Sequence, residues 1–150
     1  MSATVQEKAF YALISAALFI LVSNQYTYSA VDYVFGNSNI VALGGCPTTI
    51  GLFLHTLVFF LVLYLVMWFF DSRKSPDQQI SKTMMAKYSF YGAILFFIVS
   101  NPETYKLVNM IGLGKLGTSD GCPNVGGLLL HTVVFFLLTF GAMFLPKDTQ

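Results

Sequence analysis

Charge is scarce in this chain. Asp, Glu, Lys and Arg make up only 10% of 150 residues, against about 25% in an ordinary soluble domain. Eight basic and seven acidic side chains leave a net charge of +1, with no Lys/Arg run. That offers no electrostatic grip on nucleic acid. There are two cysteines, and they do not form a C-x-x-C pair, which argues against a dithiol redox centre. No Asn-x-Ser/Thr sequon marks a glycosylated face. A phosphate loop, a Ser/His/Asp set and metal-ligand spacings are all missing. No carboxylate interrupts the apolar segments, so the usual general acid/base pair is missing too. The chain reads as a non-enzyme, and no cofactor is expected.

Apolar residues are abundant instead: 55% hydrophobic, 16% aromatic. A soluble fold of this size has too little interior to hide that surface, whereas lipid tails accept it. Ile50–Phe70 and Val125–Leu145 are each 21 residues long with one His and no charge. Each matches the roughly 20 residues that cross about 30 Å of hydrocarbon. The other two apolar segments are shorter: Phe10–Val22 is 13 residues long and Met84–Val99 is 16. The first can extend back to Val5 and forward through Ser23, and Lys87 can snorkel from the end of the other. The N-terminal run is not a clean signal peptide: Glu7 adjoins Lys8, and Ser23-Asn24-Gln25-Tyr26 is no small-residue cleavage site. It is read as a retained first span. The expected fold is an all-α integral membrane protein with four transmembrane helices, forming one membrane domain over 1–150.

The chain repeats itself. Gly45-Cys46-Pro47, Gly51, Leu52, Leu54, His55-Thr56, Val58-Phe59-Phe60-Leu61 and Met67 recur 76 positions later as Gly121-Cys122-Pro123, Gly127, Leu128, Leu130, His131-Thr132, Val134-Phe135-Phe136-Leu137 and Met143. These are 13 identities in the 23 positions 45–67. Upstream, Val22-Ser23-Asn24 and Thr27-Tyr28 recur as Val99-Ser100-Asn101 and Thr104-Tyr105 at an offset of 77. The spans therefore divide into two tandem two-helix repeats: repeat 1 over 5–70, a linker over 71–83, repeat 2 over 84–145 and a tail over 146–150. A unit with an even number of spans keeps its orientation, so the copies should be related by an axis along the membrane normal. Small residues pair in the alignment (Ser15 with Gly92, Ala16 with Ala93) and would let helices approach closely.

Between the spans, Ser100-Asn101-Pro102-Glu103 is a helix-start signature and Gly112 and Gly114 offer a stop. A short interfacial helix is predicted at about Pro102–Met110. The first copy lacks the Pro but carries Tyr26, Tyr28, Tyr33 and Phe35, a cluster suited to the membrane–water interface. The linker, with Asp71, Arg73, Lys74, Pro76, Asp77 and Lys82, reads as a plain polar connection. The termini and linker share one side with Lys8, Arg73, Lys74, Lys82, Lys87 and Lys147, against Lys106 and Lys115 opposite. Six against two puts the termini on the cytoplasmic side.

Cys46 and Cys122 occupy equivalent positions at the far mouth of the bundle. They are a possible disulfide or two buried thiols acting as small apolar groups. His55 and His131 each follow a Cys by nine residues, ~13 Å into the helix and near mid-membrane. Ionisable groups at that depth invite functional suspicion. Two equivalent His could ligate one metal or a haem, or line a proton path. They could equally fix packing by bonding a Ser, Thr, Asn or backbone carbonyl of a neighbouring helix, with Ser23, Asn24, Ser100 and Asn101 the obvious partners. Thr56 and Thr132 should bond a carbonyl one turn back, and Trp68 reads as an interfacial anchor. Tyr28, Pro47, Gly51, Tyr105, Pro123 and Gly127 are read as structural parts of the repeat.

The pattern Ser100-Asn101-Pro102-x-Thr104-Tyr105-Lys106, then Gly121-Cys122-Pro123, then Gly127 through Leu137 resembles small four-span membrane proteins of nucleocytoplasmic large DNA viruses, the chlorella-virus group among them. It covers Val99–Met143 best and Ser23–Met67 as a degenerate copy, with Gln25 and Tyr26 in place of Pro102 and Glu103. The resemblance implies a virion membrane component or minor capsid protein. Such a protein sits in the viral internal membrane, or in host endomembrane during assembly. Its expected partners are the lipid bilayer and like chains or capsid proteins, not nucleic acid. The alternatives are a small channel or transporter, or a haem- or metal-binding membrane protein, built on His55 and His131.

Overall fold

The computed structural model describes residues 4–36, 39–111 and 120–145. Gly112, Gly114, Lys115 and the tail 146–150 lie outside them. The chain is predominantly helical: α1 Val5–Val22, α2 Gln25–Val34, α3 Thr49–Asp71, α4 Lys82–Val99, α5 Pro102–Met110 and α6 Val125–Ala142. A two-residue strand pair, β1 Ala42–Leu43 with β2 Cys46–Pro47, precedes α3, and a single 3-10 turn covers Pro76–Gln78. Helix α3 runs on through Asp71 and α4 starts at Lys82, so both helices reach past the edges expected for the repeats. Asp71 is buried rather than part of a polar linker, and its carboxylate accepts the Ile80 N–H at 3.2 Å.

Among the described residues, three helices, α1, α3 and α6, are long and apolar enough to cross a membrane; α4 qualifies only together with α5, across a 51° bend. The shortfall in α4 follows from Lys82, Lys87 and Ser89 in its first half. Lipid-type outer faces are plain on these helices. Leu57, Leu61 and Leu65 form an exposed i, i+4 stripe on α3, as do Phe90, Ile94 and Ile98 on α4 and Leu129, Val133 and Leu137 on α6. Apolar stripes of this kind on the outside suit hydrocarbon, not water.

The helices exchange partners between the two halves of the chain. Helix α1 packs most extensively on α6, and α3 on α4. Buried positions of α1 and α4 match at an offset of 77: Ala12 with Ser89, Ser15 with Gly92, Ala16 with Ala93, Phe19 with Phe96, Val22 with Val99. Four phenylalanines, one from each long helix, fill the centre, and all are 0% exposed. Phe19 stacks on Phe135 at 4.8 Å and Phe96 on Phe59 at 4.6 Å, and edge contacts at 5.5 and 5.7 Å close the ring. Small residues admit this packing; a Cβ on Gly92 would come within 2.7 Å of Leu63 Cδ2.

One end of the bundle collects cations over aromatic rings: Lys8 over Phe144 at 4.0 Å, Arg73 over Phe69 at 3.8 Å and Lys74 over Tyr11 at 5.4 Å. The other end carries β1–β2, whose Gly44-Gly45 turn has positive φ at both residues (61° and 86°), the geometry of a tight two-residue hairpin. Asp32 of α2 holds the segment before it, accepting the N–H groups of Val41 at 2.9 Å and Asn39 at 3.2 Å. The Val41 N–H foremost keeps the Asp32 carboxyl below the usual carboxylate range.

Gly51 lies where this segment meets α3. A Cβ there would collide with the Val41 carbonyl oxygen. Gly51→Ala should therefore lower stability by about 1–3 kcal/mol, as overpacking does. Thermal unfolding in detergent would show it; an unchanged midpoint would mean that Val41 and α3 are not in contact.

Candidate functional site

An α-helix ends with four carbonyls that have no intrahelical donor, and where water is scarce each bare carbonyl is costly. At the end of α1, Ser23 donates both its backbone N–H (2.8 Å) and its hydroxyl (2.6 Å) to Phe19 O. Thr27 Oγ1 donates to Leu21 O at 2.6 Å. His55, reaching across from α3, donates from Nδ1 to Val22 O at 2.8 Å. The end of α4 repeats the pattern. Ser100 bonds Phe96 O through its N–H (2.8 Å) and hydroxyl (2.6 Å). Thr104 bonds Ile98 O at 2.7 Å, and His131 of α6 bonds Val99 O at 2.7 Å. Asn24 and Asn101 then cap α2 and α5, each accepting a backbone N–H at 2.9 Å. Val-Ser-Asn-x-x-Thr thus closes one helix and opens the next within two residues, and a His completes the corner from the neighbouring helix.

Tyr28 lies flat on His55, with ring centres 3.8 Å apart and planes at 15°; Tyr105 lies on His131 at 3.7 Å and 0°. Tyr28, Tyr105 and His55 are 1% exposed and His131 2%. A carbonyl only accepts, so each Nδ1 carries the proton and each Nε2 keeps a lone pair. Both Nε2 atoms and both phenol oxygens are buried, with no hydrogen-bond partner among the described residues. The Tyr28 hydroxyl lies beside Ser100 and within electrostatic reach of Tyr105, so the two corners adjoin.

Each His is the seventh residue of its helix, about 9 Å below the helix start at 1.5 Å per residue. That is less than the ~13 Å counted from Cys, because Pro47 and Thr48 precede α3 and Pro123 and Asn124 precede α6. The His partners are the carbonyls one residue before the repeated Ser-Asn pair, not the Ser or Asn side chains. Tyr28 is buried against His55 rather than exposed with Tyr26, Tyr33 and Phe35. That stacking escaped the sequence reading. Its one signal was the recurrence of Thr27-Tyr28 as Thr104-Tyr105. Thr56 and Thr132 bond Leu52 O and Leu128 O at 2.8 and 2.7 Å.

Above the corners, Cys46 and Cys122 form a disulfide, with Cα atoms 4.8 Å apart and a separation of 76 positions in the sequence. Gly45 and Gly121 precede them in the left-handed region (φ 86° and 78°), which suits Gly at both sites. Buried Pro47 and Pro123 follow. Thr48 and Asn124 cap α3 and α6 by accepting the Gly51 and Gly127 N–H groups at 3.0 and 2.6 Å. The Asp120 carboxylate lies within 4.8 Å of the sulfurs; joined to each other, those sulfurs offer no thiolate to a metal.

His55→Phe or His131→Phe keeps a ring on the tyrosine but leaves a buried carbonyl bare. Each should cost about 1–2 kcal/mol, read as a lower unfolding midpoint in detergent; no loss for either would remove the capping role. Trypsin can cut at Arg73, Lys74 or Lys82 between the halves. The nicked protein should run as one band without reductant and as two with it, and separation without reductant would contradict the Cys46–Cys122 link.

No protein-family model, curated protein or solved structure matches the chain.

Proposed function

We propose that this chain is a structural membrane protein. Four spans form two tandem repeats about an axis along the membrane normal. Helices α2 and α5 lie at the extracytoplasmic interface and the termini are cytoplasmic. Its place is the internal membrane of a virion, where its loops meet capsid proteins or like chains, and it catalyses nothing. The observation that carries the structural reading is the use made of the repeated residues. Ser23, Asn24, Thr27, Tyr28, Cys46, Gly51, His55, Thr56 and Phe59, with their counterparts, serve helix ends, caps, the disulfide and the core. Each of these residues has a structural use. The four-Phe layer fills the bundle centre one turn below the histidines, which disfavours a conducting path. The virion setting rests on the motif resemblance alone. Exposed Tyr26, Tyr33 and Phe35 suit a contact surface or the lipid interface.

The competing readings draw on the free Nε2 lone pairs: transport through the His pair, or haem or metal ligation. Purified protein in liposomes and cryo-EM of membrane-containing particles test all three. The structural reading expects colourless protein, no flux, and repeated density joining residues 26–35 to a shell. Flux abolished by His55→Ala with His131→Ala, or a Soret band, together with absence from particles, would overturn it.

A further inference from the structure

The two His–Tyr corners present four buried polar atoms in matched pairs: Nε2 of His55 and His131 and the hydroxyls of Tyr28 and Tyr105, none with a partner among the described residues. Native interiors rarely leave such atoms bare, and in low-dielectric surroundings the penalty is greatest. Within each pair the groups are complementary. Nε2 can only accept, because Nδ1 holds the ring proton for the Val22 or Val99 carbonyl. The phenol can donate and accept.

The spacing decides what joins them. The Nε2 lone pair lies in the imidazole plane, while the phenol lies in a nearly parallel plane with ring centres 3.8 and 3.7 Å apart, so the gap between the planes keeps the tyrosine O–H from a direct, in-line hydrogen bond. Two hydrogen bonds of about 2.8 Å through one oxygen cover that gap.

We propose that each His–Tyr pair binds one water molecule, which donates to His Nε2 and bridges it to the Tyr hydroxyl. Tyr28 lies beside Ser100 and near Tyr105, so the two waters belong to one polar layer shared by the halves. It sits above the four-Phe plug, which keeps it from continuing through the bundle. The ligand class is a small neutral hydrogen-bond donor, and water is the one always present. The inference does not depend on the virion setting.

Solid-state NMR of full-length protein with 15N-labelled histidine in lipid bilayers tests this, with water as the probe. Magnetisation transfer from water should reach Nε2 of both histidines, and both Nε2 shifts should lie in the hydrogen-bonded acceptor range. Tyr28→Phe should reduce transfer to His55 several-fold and leave His131 unchanged; Tyr105→Phe should do the reverse. Where a variant does not fold, the wild-type spectrum decides alone. Dry Nε2 atoms, Nε2 bonded directly to a tyrosine proton, or Nε2 shifted by stoichiometric metal would each overturn the proposal.

Discussion

A bare helix-end carbonyl in apolar surroundings is the constraint on which the rest of this structure depends. Helices α1 and α4 stop at the end of the bundle that carries the β1–β2 hairpin, and the chain turns there into α2 and α5. Each stop leaves carbonyls needing donors. Ser and Thr supply some from the following turn, and a His one helix away supplies the last. That requirement fixes where α3 and α6 must sit relative to α1 and α4. It also explains a costly buried imidazole without invoking chemistry.

Placement of the histidines has consequences on both sides of them. One turn deeper lie Phe59 and Phe135, which meet Phe19 and Phe96 at the centre. Toward the mouth lie the capped starts of α3 and α6, the close approach of Gly51 to Val41, and the disulfide. Closing a 76-residue loop limits the unfolded chain, an effect on the order of 4 kcal/mol in the chain-entropy account. The cross-packing of α1 on α6 and α3 on α4 ties the halves together along their length, and the disulfide ties them at the end where α2 and α5 leave the bundle.

The repeat was the most legible feature of the sequence, because identities at offsets of 76 and 77 need no structural knowledge. Apolar runs marked α3 and α6, and Ser-Asn-Pro-Glu marked the start of α5. The crossing tendency of α4 was harder to read, since Lys82, Lys87 and Ser89 dilute its hydropathy and the 51° bend to α5 is a tertiary property. The β1–β2 hairpin escaped notice because two-residue strands carry no periodicity, although Gly44-Gly45 was its turn signal. A backbone carbonyl of a neighbouring helix was among the partners the sequence allowed for the His side chains, but which carbonyl could not be read. A backbone carbonyl carries no residue identity, so nothing in the letters Val22 or Val99 points to His55 or His131. Stacking of Tyr28 and Tyr105 was hidden for a similar reason: a tyrosine near a membrane mouth looks interfacial until its neighbour is known.

The central claim is that His55 and His131 close the ends of α1 and α4. A dipolar-recoupling measurement on protein labelled with 15N-histidine and 13C-carbonyl valine tests it most directly. The account predicts two protonated Nδ1 sites, each coupled to one valine carbonyl at hydrogen-bond separation. Nδ1 atoms without protons, or without a valine carbonyl nearby, would contradict it.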